Sequence, residues 1–142
     1  MSDPFNATDL ALLILRVGTG LIFIPHGYPK MTGGGGEEKG GHAHLTQSLA
    51  QMGLPFPYAF AALVGAIEFF GGLLLIVGLQ TQWAAIALAF VMLVATGRVL
   101  VQRGFVGNAD FPFSLLVAVL ALALLGGGAV TVDQLFMAKR LG

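Results

Sequence analysis

The chain has 142 residues, of which 56% are hydrophobic and only 10% charged, where an ordinary soluble domain carries roughly a quarter charged. So few charges cannot cover a water-soluble core, and the expected solvent is the bilayer. Seven basic residues balance seven acidic ones, which leaves no basic stripe for a phosphate backbone and excludes nucleic acid as a partner. Cysteine is absent, and with it go disulfides, thiolate chemistry, Cys-ligated zinc and iron–sulfur clusters.

Four stretches approach the roughly 20 apolar residues needed to cross hydrocarbon: 10–28, 58–79, 83–102 and 111–128. They are long, rich in Leu and Ala, and lack the alternation of a barrel strand. The sequence therefore predicts an all-α membrane protein, a single four-transmembrane-helix domain over 1–142 with both termini on one side. Its start, Met1-Ser2-Asp3-Pro4, is acidic and no small-x-small cleavage site follows, so the first span reads as retained. Asn6-Ala7-Thr8 matches a glycosylation sequon, but capping of the first helix by Thr8 or Asp9 explains it more simply.

The connections differ. Gln80-Thr81-Gln82 is a tight hairpin, which makes the second and third helices antiparallel neighbours. Residues 31–57 run from a glycine tract, Gly33 to Gly36, through Glu37, Glu38 and Lys39 to Leu54-Pro55-Phe56-Pro57. Inside this long loop Leu45, Leu49 and Met52 fall at i, i+4 and i+7, which predicts a short amphipathic helix folded back over the bundle as a lid. The glycine tract follows no strand and precedes no Lys-Ser pair, so it is not a phosphate loop. Lys139 and Arg140 lie together beyond the fourth helix, whereas Glu37, Glu38 and Asp110 dilute the positive charge on the other side. Both termini are therefore expected in the cytoplasm, in a bacterial inner membrane.

The informative residues are the charged and ionisable ones in the spans. An Arg or Glu at mid-bilayer costs about 2.5–3.5 kcal/mol on insertion scales, so such groups face the bundle and pair. At 1.5 Å per residue, Arg16 lies about 9 Å in from the terminal side, Glu68 about 16 Å, Arg98 about 22 Å and His26 about 24 Å. Glu68 is thus expected to pair with Arg16 or Arg98. His26, Lys30, Arg98 and Asp110 are expected to gather near the leaflet of the long loop, where a ligand site would open under the lid, away from the hairpin. Pro25 and Pro29 are expected to loosen the first helix around His26. Gly65, Glu68 and Gly72 share a face, which lets a neighbouring helix come close to the carboxylate. Each residue also has a structural reading: Glu68 as a register lock, His26 as a hydrogen-bonded interface residue, Lys30 as a snorkelling anchor. His42-x-His44 has poor spacing for a metal, and no metal site is expected.

The ordered set Arg16-x-x-x-Gly20-Leu21-Ile22-Phe23, His26-Gly27-x-x-Lys30-Met31, Gly53-Leu54-Pro55, Glu68-x-x-Gly71-Gly72-Leu73-Leu74-Leu75-x-x-Gly78-Leu79-x-Thr81 and Gly104-Phe105 resembles the DoxX family of small bacterial membrane proteins. The resemblance runs from Arg16 to about Asp133. It implies four membrane helices and a link to subunits of a thiosulfate:quinone oxidoreductase. Arg16, His26, Gly27, Lys30, Glu68, Gly71 and Gly72 match the family pattern, and Asp110 stands where a glutamate is common. Leu100 occupies the place where the family often has a histidine, with Arg98 nearby, so that histidine's role is not carried over.

The resulting expectation is a quinone-interacting or redox-associated membrane subunit, with any catalysis exercised as part of a membrane oxidoreductase. His26, Glu68 and Asp110 would handle protons, and Arg16, Lys30 and Arg98 would bind ligand or pair charge. Quinone is the expected cofactor. No haem is expected, since only His26 lies in a span. Partners would be the lipid bilayer, a membrane or soluble redox protein, and a second copy of the chain. The competing readings are a non-catalytic module that docks or stabilises a partner, and a conduit for a small solute.

Overall fold

A computed structural model describes residues 6–34 and 41–141. The described residues form six α-helices and no strand: α1 (Ala7–Thr32), α2 (His42–Gln51), α3 (Pro57–Val77), α4 (Thr81–Arg103), α5 (Asp110–Leu125) and α6 (Val132–Leu141). A π-type turn over Phe105–Ala109 leads into α5. Four helical segments are long and apolar enough to span a membrane, namely α1, α3, α4 and Phe105–Leu125, the last kinked at Val106 and Gly107. Outward-facing Ile14, Leu21, Phe90, Leu93 and Leu124 give them an apolar exterior, as lipid requires. The protein is a multi-pass membrane bundle.

Local chemistry sets the helix ends. Asn6 is the N-cap of α1: its side chain accepts from the Asp9 amide at 3.0 Å, and the Asp9 carboxylate accepts from the Asn6 amide at 3.3 Å. The cap is thus a reciprocal box in which Asn6 is the N-cap and Asp9 its N3 partner, with no part for Thr8. Gly33 (φ +77°) ends α1 and Gly78 (φ +75°) ends α3, both in the left-handed region that favours glycine. Contrary to the expected loosening, α1 runs continuously through Pro25 and Pro29.

Packing is organised by the antiparallel pair α1 and α3. A Cβ added to Gly27 would sit 2.4 Å from the Phe69 amide nitrogen, and one added to Gly65 would sit 2.3 Å from the Met31 amide nitrogen. Gly20 and Gly72 meet in the same way nearer the other end. The two backbones therefore touch along one face, the close approach that small residues permit in membranes. α4 packs on α5, and Phe23, Leu75, Leu88, Val119 and Leu122 close the shared core.

Two segments cap the bundle. On the long-loop side α2 lies on α3 and α1, with His42 and Leu49 buried, so the amphipathic helix forms as the spacing predicts. Met52 is the helix C-cap and is exposed, and the stripe packed on the bundle runs back to His42. On the hairpin side the chain after α5 folds back, a feature the span reading does not predict. The Ala129 amide donates to Asp9 at 2.8 Å, the Asp133 amide to the Gly78 carbonyl at 3.2 Å, and the Gln80 amide to Asp133 at 3.0 Å.

Gly27→Ala and Gly65→Ala should each lower stability by about 2 kcal/mol or more, because a methyl group there meets backbone that cannot rotate away. Gly18→Ala, with nothing within 4 Å of its Cβ position, should leave the thermal midpoint in detergent unchanged or raised.

Candidate functional site

Glu68 is 1% exposed and faces α1. Its partner is Lys30, whose Nζ lies 2.8 Å from Oε1 and 2.6 Å from Oε2, and not the expected Arg16 or Arg98. The reason is side-chain direction, which depth alone ignores. Helix side chains lean toward their own N-terminus. In antiparallel α1 and α3, Lys30 therefore reaches down from the long-loop side while Glu68 reaches up to meet it. Arg16, on the same helix as Lys30, leans toward the opposite membrane face.

There Arg16 is 1% exposed and makes a different set of bonds. Its Nη1 donates to the carbonyls of Leu75 at 3.0 Å and Ile76 at 3.1 Å, and its Nη2 donates to Val130. The first two are carbonyls of the last turn of α3, which have no intrahelical partners. A cation at this negative end of the helix dipole is well placed. Arg16 thus ties α1, α3 and the returning C-terminal segment together.

His42 carries the same logic on the other side. It is 4% exposed, and its Nδ1 hydrogen-bonds the Lys30 carbonyl in the last turn of α1. A carbonyl only accepts, so Nδ1 carries the proton. Nε2 is buried without a partner among the described residues. The ring lies edge-on to Tyr58, with centroids 4.3 Å apart. His42 therefore holds α2 over the residue that forms the ion pair. In the sequence His42 stands out only as half of a poor metal pair, although it lies three residues before Leu45 on the same helical stripe.

Among the described residues, no hydrogen bond or ion pair joins His26, Arg98 and Asp110 to one another or to Lys30. His26 is exposed, bonds the Ile22 carbonyl of its own helix at 2.8 Å and lies 5.8 Å from the Phe111 ring. Asp110, also exposed, accepts from the amides of Gly107 at 2.9 Å and Phe111 at 2.9 Å, fixing the turn that starts α5. Arg98 lines a separate cleft of about 290 Å³ between α2 and α4. The hairpin side, expected to hold only short turns, has a polar cavity of about 370 Å³ bounded by Gln80, Thr81, Trp83, Gly127 and Asp133. It exists because the C-terminal segment folds back there. No group of three metal-ligating side chains occurs among the described residues.

The pair is close to fully desolvated on the Glu68 side, and losing one partner would strand the other charge. Lys30→Met and Glu68→Gln should each cost about 3 kcal/mol, while the double variant Lys30→Met/Glu68→Leu should recover most of the loss, as measured by thermal unfolding in detergent. Arg16→Gln should leave that pair intact and instead speed hydrogen exchange at the Asp133 amide, which is held on Gly78 by the segment Arg16 anchors.

The sequence profile of the DoxX family matches residues 11–103, which include Arg16, Lys30, His42 and Glu68. Among curated proteins, the chain is 33% identical over 135 residues to "Putative oxidoreductase CatD" of Bacillus subtilis (strain 168), covering 94% of this chain and 93% of that protein. It is 30% identical over 139 residues to "Inner membrane protein YphA" of Escherichia coli (strain K12), covering 90% of this chain and 91% of that one. No solved structure gives a significant match. On the extent of these matches and on the four-span bundle that carries them, the chain belongs to the DoxX family.

Proposed function

We propose that the protein is a redox-associated subunit of the bacterial inner membrane, with both termini cytoplasmic, and that it binds a quinone at the Lys30–Glu68 pair beneath α2. The observation that carries this reading is the ion pair itself: two charges inside an apolar bundle, directly under a histidine whose Nε2 has no partner among the described residues. A quinone, when bound, accepts two electrons and two protons at its two carbonyl oxygens. The donor set fits such a group. Lys30 Nζ has one N–H beyond the two it gives Glu68, and His42 Nε2 can accept a proton or, when protonated, donate one. For reduction, His42 would pass a proton from the aqueous side to Glu68 as Lys30 turns from it toward the ligand, Glu68 would hand it to a quinone carbonyl oxygen, and a second passage would supply the second proton. Neither Lys30 nor Glu68 lines the clefts described above, and in this reading a quinone enters as α2 lifts from Tyr58 and the Lys30 carbonyl. The relative named as an oxidoreductase supports redox chemistry. With no cysteine and no haem ligand pair in the spans, electrons would arrive through a partner redox protein.

In this reading His26 and Asp110 serve the outer α1–α5 face and stand outside the quinone site. The test uses the full chain in liposomes with a short-chain ubiquinone analogue, and the readout is its saturable protection against thermal unfolding. Protection is expected in the wild type and in His26→Ala. It should fall at least about tenfold in apparent affinity in Glu68→Gln and His42→Ala. Full protection in both of the latter, or none in the wild type, would overturn the quinone reading and leave the pair as a register lock in a non-catalytic docking module.

A further inference from the structure

A second polar feature lies outside this site. α2 uses one face, His42 and Leu49, to pack inward. An adjacent face carries His44, Ser48 and Gln51, which line the cleft of about 290 Å³ against α4. From α4 the cleft is lined by Ala95, Arg98, Val99 and Gln102, which share one helical face at i, i+3, i+4 and i+7, and by Arg103 at the helix end. The lining residues are cationic or hydrogen-bonding apart from Leu45, Ala95 and Val99, and among the described residues no carboxylate lines the cleft. Among the described residues, no ion pair or side-chain hydrogen bond engages the Arg98 or Arg103 guanidinium. Arg98 is only partly exposed, and Arg103 stands in the last turn of a membrane-spanning helix, the level at which phosphates of the bilayer lie.

We propose that the α2–α4 cleft binds a phosphate group. The two guanidiniums present flat, multi-donor edges to it, the geometry that suits phosphate oxygens. Ser48 and Gln51 add neutral donors from the opposite wall. The volume is near the lower end of ligand clefts, about 300 Å³, which suits a headgroup-sized anion. The phosphate belongs either to an acidic lipid headgroup or to a soluble anion, and its binding would clamp α2 against α4. This site is independent of the quinone reading: it uses neither Lys30 nor Glu68, and it holds the outer edge of α2, not its inner face.

The test is thermal unfolding of the purified full chain in a neutral detergent, with added phosphatidylglycerol, phosphatidylcholine or inorganic phosphate. A lipid headgroup site predicts a rise in midpoint of about 3 °C or more with phosphatidylglycerol, and little with phosphatidylcholine or inorganic phosphate. An equal rise with inorganic phosphate would keep the site and assign it to a soluble anion. Arg98→Gln should weaken the effect about tenfold, and Gln51→Glu, which places a carboxylate in the cleft from an exposed position on the other wall, should abolish it. Lys139→Gln/Arg140→Gln, on α6, should retain it. Absence of any rise in the wild type, or a rise that survives both cleft variants, would overturn the proposal; so would loss of the rise in the α6 variant alone.

Discussion

The contact on which the rest of this bundle depends is the approach of α1 to α3 with no side chain between them. Gly20, Gly27, Gly65 and Gly72 remove the Cβ atoms that would otherwise hold the backbones apart. In lipid there is no hydrophobic force between apolar helices, so this close van der Waals contact is a main source of association. It also fixes the register of the two helices to within a residue. That register brings the ends of Lys30 and Glu68 together, sets Arg16 beside the last turn of α3, and leaves the Lys30 carbonyl where His42 can reach it.

The second theme is the treatment of helix ends. Each helix finishes with carbonyls that have no partner within the helix, and in or near hydrocarbon they cannot be left to water. The protein answers with long or planar side chains from elsewhere in the chain. Arg16 serves the end of α3 and His42 the end of α1. In both cases the donor also brings a segment with it: the C-terminal return on one face of the membrane and α2 on the other. Capping and tertiary closure are therefore the same interaction, which is why the two polar caps of the bundle sit over helix termini.

The Lys30–Glu68 pair occupies the middle of this arrangement. As a bare structural device it offers little, since a buried ion pair is often no more stabilising than apolar residues of the same volume. Its cost is easier to understand if the charges are used, and the proposal of a quinone beneath α2 assigns them a use. The membership of the DoxX family and the resemblance to a protein named as an oxidoreductase agree with that direction. The α2–α4 cleft would then matter to the same element from its outer side, since whatever fills it bears on how readily α2 lifts.

Composition and periodicity by themselves determine that this chain lives in a bilayer, that it has four spans, and that an amphipathic helix forms around Leu45 and Leu49, because hydrophobic run length and the 3.6-residue period are local properties. The same local reasoning marks Arg16, His26, Glu68 and Arg98 as residues that must be satisfied inside the bundle, and the Gly65–Gly72 spacing as a contact face, while Lys30 reads only as an anchor. Who satisfies whom is not local. The pairing of Glu68 with Lys30, and of Arg16 with backbone carbonyls, follows from the helix register and from the lean of side chains toward their N-termini, which shifts a long side chain by several ångströms from the depth of its Cα. The role of His42 and the fold-back of the C-terminal segment depend on which carbonyls the assembled helices leave free. Only the tertiary structure decides that, because an unsatisfied helix end becomes a binding partner only once packing has placed another segment within its reach.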